Sequence, residues 1–394
     1  MTAKVPTVES MHVLQTPVRF APDIGGVESY VQDVSSALVE RGHEVTVVCA
    51  NTRGYERVER IDGITVRRLS SPFSIANTNV TPALPVALGR LAREVDVIHT
   101  HLPTPWCADI SAVVGALTGT PTVLTYHNDI VGDGLASYVA EAYNATALRA
   151  TLSLVDHVLV TREAYLDESD HLSAAREVDV VRNGVDTSQF APVEVDAGER
   201  KRLGFATDRP NVFFLSVLDA YHEYKGLDVL LAAVERLTES GTPPHLLVGG
   251  DGPLRKRYER QVRERGLDEH VTFAGRIPDA DLGPTYSAAD AFVLPSTSTD
   301  QEGFGLVALE ALACGTPVVT TDIVGVAEAI ERERAGIVVE KADSTALADG
   351  ISTLLADAPA DQGHRGRRLC EREYSWAESV DQLVELYREV GADR

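Results

Sequence analysis

The sequence predicts an α/β protein made of two doubly wound, Rossmann-like domains in series. Three observations carry this. The chain has 394 residues, more than one ordinary hydrophobic core serves. Short apolar runs alternate with segments of helical periodicity, and the alternation runs once through the first half, breaks, and restarts near residue 210. Glycine-bearing turns sit where several of these runs hand over to helices, the place at which open α/β sheets bind ligands.

The first ten residues carry no periodic pattern and read as a disordered extension. The first domain spans 11–190. Its strands are read at Met11–Pro17, Glu44–Ala50, Ile64–Leu69, Val95–Thr100, Thr122–Tyr126 and His157–Thr161. Gly25 and Gly26 stand between the first strand and a helix marked by Val27, Tyr30, Val31, Val34, Ala37 and Leu38. His127 follows directly on a strand, and His99 and His101 stand at a neighbouring strand end. The two could be a metal pair, but no third ligand lies at a useful spacing. Val178–Asp186, VDVVRNGVD, closes the half with an Asn-Gly turn signal.

Residues 191–209 are polar and broken by Ala-Pro and Asp-Ala-Gly, and read as a linker. The second domain, 210–370, repeats the pattern. Strands are read at Asn211–Leu218, His245–Gly249, Val271–Ala274 and Ala291–Pro295, with helices at Leu227–Leu237, Leu254–Arg265 and Leu282–Ala289. Lys225 stands at a helix entrance. Gly250 and Gly252 fall in a strand-to-helix turn, GGDGP. Residues 371–394 form an amphipathic helix with Val380, Leu383, Val384, Leu386 and Tyr387 as its apolar face.

One stretch, Asp300–Thr321, organises the second domain. A polar loop ends at Gly303-Phe304-Gly305, an alanine-rich apolar run covers Leu306 to Cys314, and Gly315-Thr316-Pro317 leads into the β-branched run Val318–Thr321. This reads as loop, helix, turn and buried strand. The first helical N–H groups, Leu306 and Val307 among them, face an approaching ligand with the positive end of the dipole behind them, so the stretch suits an anion. Glu302 stands in the loop and Glu310 eight residues later in the apolar helix, where a carboxylate needs a partner.

Glu302 and Glu310, set in EGFGLVALEALACGTPVV, resemble the E-x7-E motif of the retaining glycosyltransferases of family 4, which have the two-domain GT-B fold. The resemblance extends over nearly the whole chain through Gly25-Gly26-Val27-Glu28, His127, Asn183–Asp186, Lys225-Gly226, Gly249–Pro253 and Phe273–Ile277. It implies domains facing each other across a cleft, with the last helix crossing back to the first. It implies a nucleotide diphosphate sugar as donor in the second domain and a glycan or lipid-linked acceptor on the first. By this resemblance Glu310 accepts from ribose hydroxyls and Glu302 holds sugar hydroxyls. Gly303, the N–H groups of Phe304, Gly305, Leu306 and Val307, and Lys225 meet the leaving diphosphate. Gly25 and Gly26 face the donor phosphates, Gly250 and Gly252 line the nucleotide site, Arg276 lies beside the base and His127 faces the transferred sugar. His127, Lys225 and Glu302 are thus the expected catalytic set, with no cofactor and no metal. One departure stands out. The family's common form carries an arginine before the lysine, within G-R-L, and the matching stretch here is Ser216-Val217-Leu218.

Composition bounds the rest. The chain is 44% hydrophobic and 24% charged, with net charge −23. The first 190 residues hold 14 basic and 23 acidic groups and the remainder 22 and 36, so neither half suits nucleic acid or an anionic membrane. Only five of the 36 basic residues are lysine, which points to a salt-rich cytoplasm. Four separated cysteines without C-x-x-C read as buried thiols. No signal peptide or long apolar run is evident, so the expected location is cytoplasmic, with peripheral contact at the inner membrane face if the acceptor is a lipid.

Four other functions compete. Gly303–Ala308 fits G-x-G-x-x-A, but seven residues, Ser296 to Glu302, separate it from the strand that a dinucleotide fingerprint follows tightly. A glycoside hydrolase needs carboxyls about 5–9.5 Å apart, whereas eight helical residues span ~12 Å. A non-catalytic nucleotide-sugar binder and a nucleotide-sugar epimerase of the same shape remain as alternatives. Asp279-Ala280-Asp281 is a D-x-D, read as helix capping rather than a metal site.

Overall fold

A computed structural model describes residues 10–23, 25–75, 78–128, 130, 135–163, 165–241, 243–299, 301–302, 304–357 and 359–392. The expected disordered extension therefore lies almost wholly outside the described residues, as does Gly303. The chain divides into two compact units. The first contains residues 1–183 and 376–394, the second 184–375.

The first unit holds β1 (His12–Thr16), β2 (Glu44–Asn51), β3 (Val58–Ile61), β4 (Ile64–Ser70), β5 (Phe73–Ile75), β6 (Thr78–Val80), β7 (Val97–Leu102), β8 (Thr122–Tyr126), β9 (His157–Val160) and β10 (Val178–Val180). Its eight-stranded sheet runs β10-β9-β8-β7-β1-β2-β4-β3, and β5 and β6 make a separate hairpin. Every pair in the large sheet is parallel except β3–β4. β3, β5, β6 and β10 were not legible as strands. β5 is exposed along its length and β3 half so, and neither offers the apolar run by which a buried strand is read. The helix Trp376–Ala392 packs in this unit, with Trp376, Val380, Leu383 and Tyr387 in one core with Val13, Tyr30, Val31 and Leu38.

The second unit holds β11 (Asn211–Leu215), β12 (His245–Gly249), β13 (Val271–Gly275), β14 (Ala291–Leu294), β15 (Val318–Thr321) and β16 (Gly336–Val339). The order is β13-β12-β11-β14-β15-β16, all parallel. The winding thus reverses between β11 and β14, as in a dinucleotide-type Rossmann sheet. β12, β14 and β15 are buried at every residue, because helices cover both faces. Phe213 joins one core with the helix Leu306–Ala313. Val212 and Phe214 join the other with the helix Leu227–Glu239, as the two-residue period of a strand requires.

Residues 191–209 are not a free linker. They hold a helix at Ala197–Arg202 capped by Asp196, whose carboxylate accepts from Glu199 N at 2.8 Å. Phe190 and Phe205 are buried in the second unit's core beside Phe213 and Tyr286. The chain passes between units at Asn183/Gly184 and again at Ser375/Trp376. A polar composition concealed one anchoring aromatic, Phe205, and Phe190 anchors the chain just before the window.

The loops that follow β11 and β14 are in contact. Gly226 has φ 79°, and a Cβ there would stand 2.0 Å from the Pro295 carbonyl oxygen. Gly226→Ala is therefore expected to cost about 2–3 kcal/mol of stability. Gly266→Ala, with φ 68° but nothing within 4 Å, should cost about 1 kcal/mol. Urea unfolding of both variants checks this; equal losses would contradict the close approach.

Candidate functional site

The second unit brings its candidate groups to the carboxyl ends of four adjacent strands. After β11 the chain makes a single 3-10 turn, Glu223–Lys225, closed by Gly226 in the left-handed region. After β14 it continues through Ser296 and Thr297. Thr297 N donates to the Tyr224 carbonyl at 2.8 Å, and Thr297 Oγ1 to the same oxygen at 3.2 Å. Within this frame Lys225 Nζ donates to both oxygens of Glu302, at 2.8 Å and 3.0 Å. Ser296 Oγ donates to Glu302 Oε2 as well. The Glu302 side chain is 2% exposed and that of Lys225 15%, and Nζ lies 5.0 Å from the Tyr224 ring centre, within cation–π range. Burial works against the lysine's charge, but the Glu302 carboxylate, with Tyr224 second, outweighs it and holds the ammonium above the usual lysine range.

Glu310 occupies the fifth position of the helix Leu306–Ala313 and accepts from Tyr286 Oη at 2.7 Å. This supplies the partner that a carboxylate in an apolar helix needs. The phenol is fully buried, and burial followed by the adjacent Glu310 charge pushes its pKa well up. Gly305, at φ 87°, caps the helix, and a Cβ there would meet Val324 Cγ1 at 2.5 Å. Phe304 is buried against Tyr374, ring centres 5.8 Å apart. Its side chain thus serves the core. Leu306 and Val307 open the helix, where N–H groups have no partner within it.

Gly250 and Gly252 follow β12 so close to the β11 loop that a Cβ would stand 1.8 Å from Ser216 O and 2.2 Å from Leu218 O, respectively. These glycines let two neighbouring loops pass, whatever else they line. Arg276 is exposed after β13, the edge strand. Asp281 pairs with Arg202, at 2.7 Å and 3.2 Å, in the first turn of the helix Asp279–Ala288. No group of three His, Cys, Asp or Glu suited to a metal occurs among the described residues.

In the first unit, Gly25 and Gly26 open the helix Gly26–Glu40. Gly25 is extended. A Cβ there would collide with the Glu28 carboxylate at 2.2 Å, whereas one at Gly26 meets nothing within 4 Å. Glu28 pairs with Arg19 at 3.0 Å, an acid suited to the helix's first turn.

His127 is buried after β8 in a group of three histidines. Its ring stacks on His101 at 5.7 Å and meets Tyr30 edge-on at 4.7 Å. His99 pairs with Tyr387 Oη at 2.6 Å and Thr125 Oγ1 at 2.7 Å, and His101 with Gln15 Oε1 at 2.8 Å. These partners place His99 and His101 in a packed polar network, in which His101 Nδ1 is buried without a partner. The Nε2 atom of His127 is buried without a partner. Burial holds both His99 and His127 down to about 3, and His101 well below the usual range with the help of His99. The three are neutral at ordinary pH, so His127 can share a hydrogen bond but carries no charge to a ligand.

Sequence reasoning missed Ser296, Tyr224 and Tyr286. Ser296 had one visible signal: it is the first polar residue after a buried strand beside the reversal. Tyr286 had none, since its partner lies 24 residues away. All four cysteines are buried and unpaired. No helix among the described residues is long and apolar enough to cross a membrane.

Two Rossmann-like units, the second with a lysine and a carboxylate fixed at its winding reversal, define the class: a GT-B glycosyltransferase acting with a nucleotide sugar. The family "Glycosyltransferase Family 4" matches residues 24–189, and "Glycosyl transferases group 1" matches residues 196–368. The chain is 31% identical to the D-inositol 3-phosphate glycosyltransferase of Mycolicibacterium smegmatis over 94% of its own length and 88% of the relative's. It is 29% identical to that organism's GDP-mannose-dependent alpha-(1-6)-phosphatidylinositol monomannoside mannosyltransferase, covering 93% and 96%. Sucrose-phosphate synthase from Thermosynechococcus elongatus superposes with a TM-score of 0.77 at 26% identity, covering 98% of this chain and all of that one. The chain belongs to glycosyltransferase family 4.

The buried histidines set an acid limit on the first unit. Their native pKa values lie below the unfolded value near 6.5, so between pH 6.5 and 3 the unfolded chain binds more protons and stability rises with pH. Each histidine contributes up to about 1.4 kcal/mol per pH unit in that window. Both tryptophans, Trp106 and Trp376, lie in the first unit, so their fluorescence reads it selectively. The urea midpoint is expected to fall between pH 7 and pH 5; an unchanged or higher midpoint at pH 5 would count against neutral burial.

Proposed function

We propose that this protein transfers a sugar from a nucleotide diphosphate sugar, with retention of configuration and without a metal, to a glycan or lipid-linked acceptor. The observation that carries the reading is the Lys225–Glu302 pair at the β11/β14 reversal, where open α/β sheets bind their ligands. An ammonium has three N–H donors. Two are directed at Glu302 and the third is shared with the Tyr224 hydroxyl, whose place a diphosphate oxygen would take. Charge grows on that diphosphate as the glycosidic bond breaks, and a fixed donor there stabilises the transition state more than the bound donor. The N–H groups of Phe304–Val307 serve the same charge. Glu302 holds sugar hydroxyls, Glu310 the ribose and Arg276 the base edge. Neutral His127 offers its unpartnered Nε2 to a sugar hydroxyl. Gly25 and Gly26 border the acceptor side.

The relatives' names bring GDP-mannose forward as the first donor to test, and an inositol phosphate or a phosphatidylinositol mannoside as acceptors. A lipid acceptor would place the reaction at the inner membrane face. Asp281 is committed to Arg202, which favours capping over metal binding for the D-x-D and supports metal-independent transfer. A donor panel assayed for nucleotide diphosphate release in EDTA tests the reading. Release is expected from one donor, unaffected by the chelator; activity that only Mg²⁺ or Mn²⁺ restores would overturn the metal-free part, and product of inverted configuration the retaining part. Lys225→Ala should lower kcat by ~10²–10³, the scale of one lost charge-stabilising donor. Lys256→Ala serves as the control, and equal losses in both would reduce the effect to general charge.

A further inference from the structure

We infer that His222, oriented by Asp219, is a second donor to the diphosphate of the donor sugar. This rests on the proposed function and extends it to a residue outside the Lys225–Glu302 pair. The need is electrostatic. Lys225 is already balanced by a buried carboxylate on two of its three donors, so the pair has little net charge for a dianionic or trianionic group. Two basic side chains of the helix Arg255–Glu264 are engaged elsewhere. Arg257 pairs with Glu223 and Asp228, and Arg255 with Glu259 and the Phe273 carbonyl.

His222 answers this need by position. It caps the 3-10 turn whose last residue is Lys225, and Lys225 N donates to His222 O at 3.0 Å. Residues three apart in such a turn lie on one side of it. Both side chains also rest on the same ring: His222 stacks on Tyr224 with centres 6.2 Å apart, and Lys225 Nζ lies 5.0 Å from that ring centre. Asp219 Oδ1 accepts from Tyr221 N at 2.9 Å, His222 N at 3.0 Å and His222 Nδ1 at 2.7 Å. A carboxylate is only an acceptor, so Nδ1 carries a proton. The imidazole is thereby fixed in rotation, and its Nε2 is turned away from Asp219. The side chain is 31% exposed, unlike the buried histidines of the first unit. With a diphosphate oxygen accepting from Nε2, both ring nitrogens donate, which is the imidazolium form. Asp219 is then a positioning residue for His222.

The test compares binding of GDP, UDP and ADP, and of the matching monophosphates, to wild type, His222→Gln and His222→Arg by calorimetry. His222→Gln keeps a polar side chain of similar reach but cannot become a cation. Its affinity for the preferred diphosphate is expected to fall about 10- to 100-fold, the range for a hydrogen bond to a charged group, with monophosphate affinity within about twofold. His222→Arg, a permanent cation, should recover diphosphate affinity to within about threefold. Unchanged diphosphate affinity in His222→Gln, an equal loss for monophosphate, or an arginine variant as weak as the glutamine one would each overturn the assignment. Circular dichroism of each variant separates misfolding from site loss, and Asp219→Asn, which retains an acceptor oxygen for the turn, should weaken diphosphate binding in the same direction. A wild-type protein that binds none of the diphosphates would refute the donor reading itself, whereas normal wild-type binding with a silent His222→Gln refutes only this inference.

Discussion

The ion pair between Lys225 and Glu302 is the interaction on which the second unit's site depends. Neither group is stable there alone. A carboxylate 2% exposed and an ammonium 15% exposed each lose hydration that only the other, with Ser296 and Tyr224, replaces. The pair joins the loops after β11 and β14, which would otherwise diverge where the winding reverses. Gly226 makes the approach possible by bringing backbone against Pro295, and Thr297 holds it by two hydrogen bonds to one carbonyl. Fold and chemistry therefore share one constraint: the closure that stabilises the loops is also what positions the cation.

How much of this the sequence disclosed follows from where each signal lies. The second sheet was legible because β11, β12, β14 and β15 are short apolar runs buried on both faces, and the glycines at 226, 250 and 305 punctuate them. Glu302 and Glu310 were legible through motif spacing, and Lys225 through its place at a helix entrance. Partners were not legible. Glu302 meets Lys225 from 77 residues away and His99 meets Tyr387 from 288 away, and no local pattern encodes such a meeting. The linker failed for a related reason. Composition averages over a window, while Phe205 within it and Phe190 at its edge anchor the segment to a core by single side chains.

The histidines show how burial changes a residue's chemical meaning. In sequence, His99, His101 and His127 look alike: three imidazoles at neighbouring strand ends. In the folded unit His99 has partners at both nitrogens, whereas His101 has one at Nε2 but none at Nδ1, and His127 Nε2 has none. All three are too buried to hold a proton at ordinary pH. The histidine cluster of the first unit is thus a neutral, buried hydrogen-bonding group. The cationic groups of the candidate site, Lys225 and Arg276, both belong to the second unit. The proposed transfer asks for cations on the donor side, where the diphosphate gathers negative charge.

The two glutamates follow the same logic. A hydrolase needs two carboxyls tuned apart, one keeping a proton to give and one free to attack or activate water. Glu302 is tied to an ammonium and a hydroxyl, and both its oxygens already accept. Glu310 accepts from Tyr286, a phenol whose own proton is held firmly by burial, so that contact is a stable hydrogen bond rather than a relay. Both carboxylates are thus held in place as hydrogen-bond acceptors. Under the proposed transfer, a site so arranged would draw its catalysis from charge stabilisation at the leaving group, supplied by the fixed donors at the β11/β14 reversal.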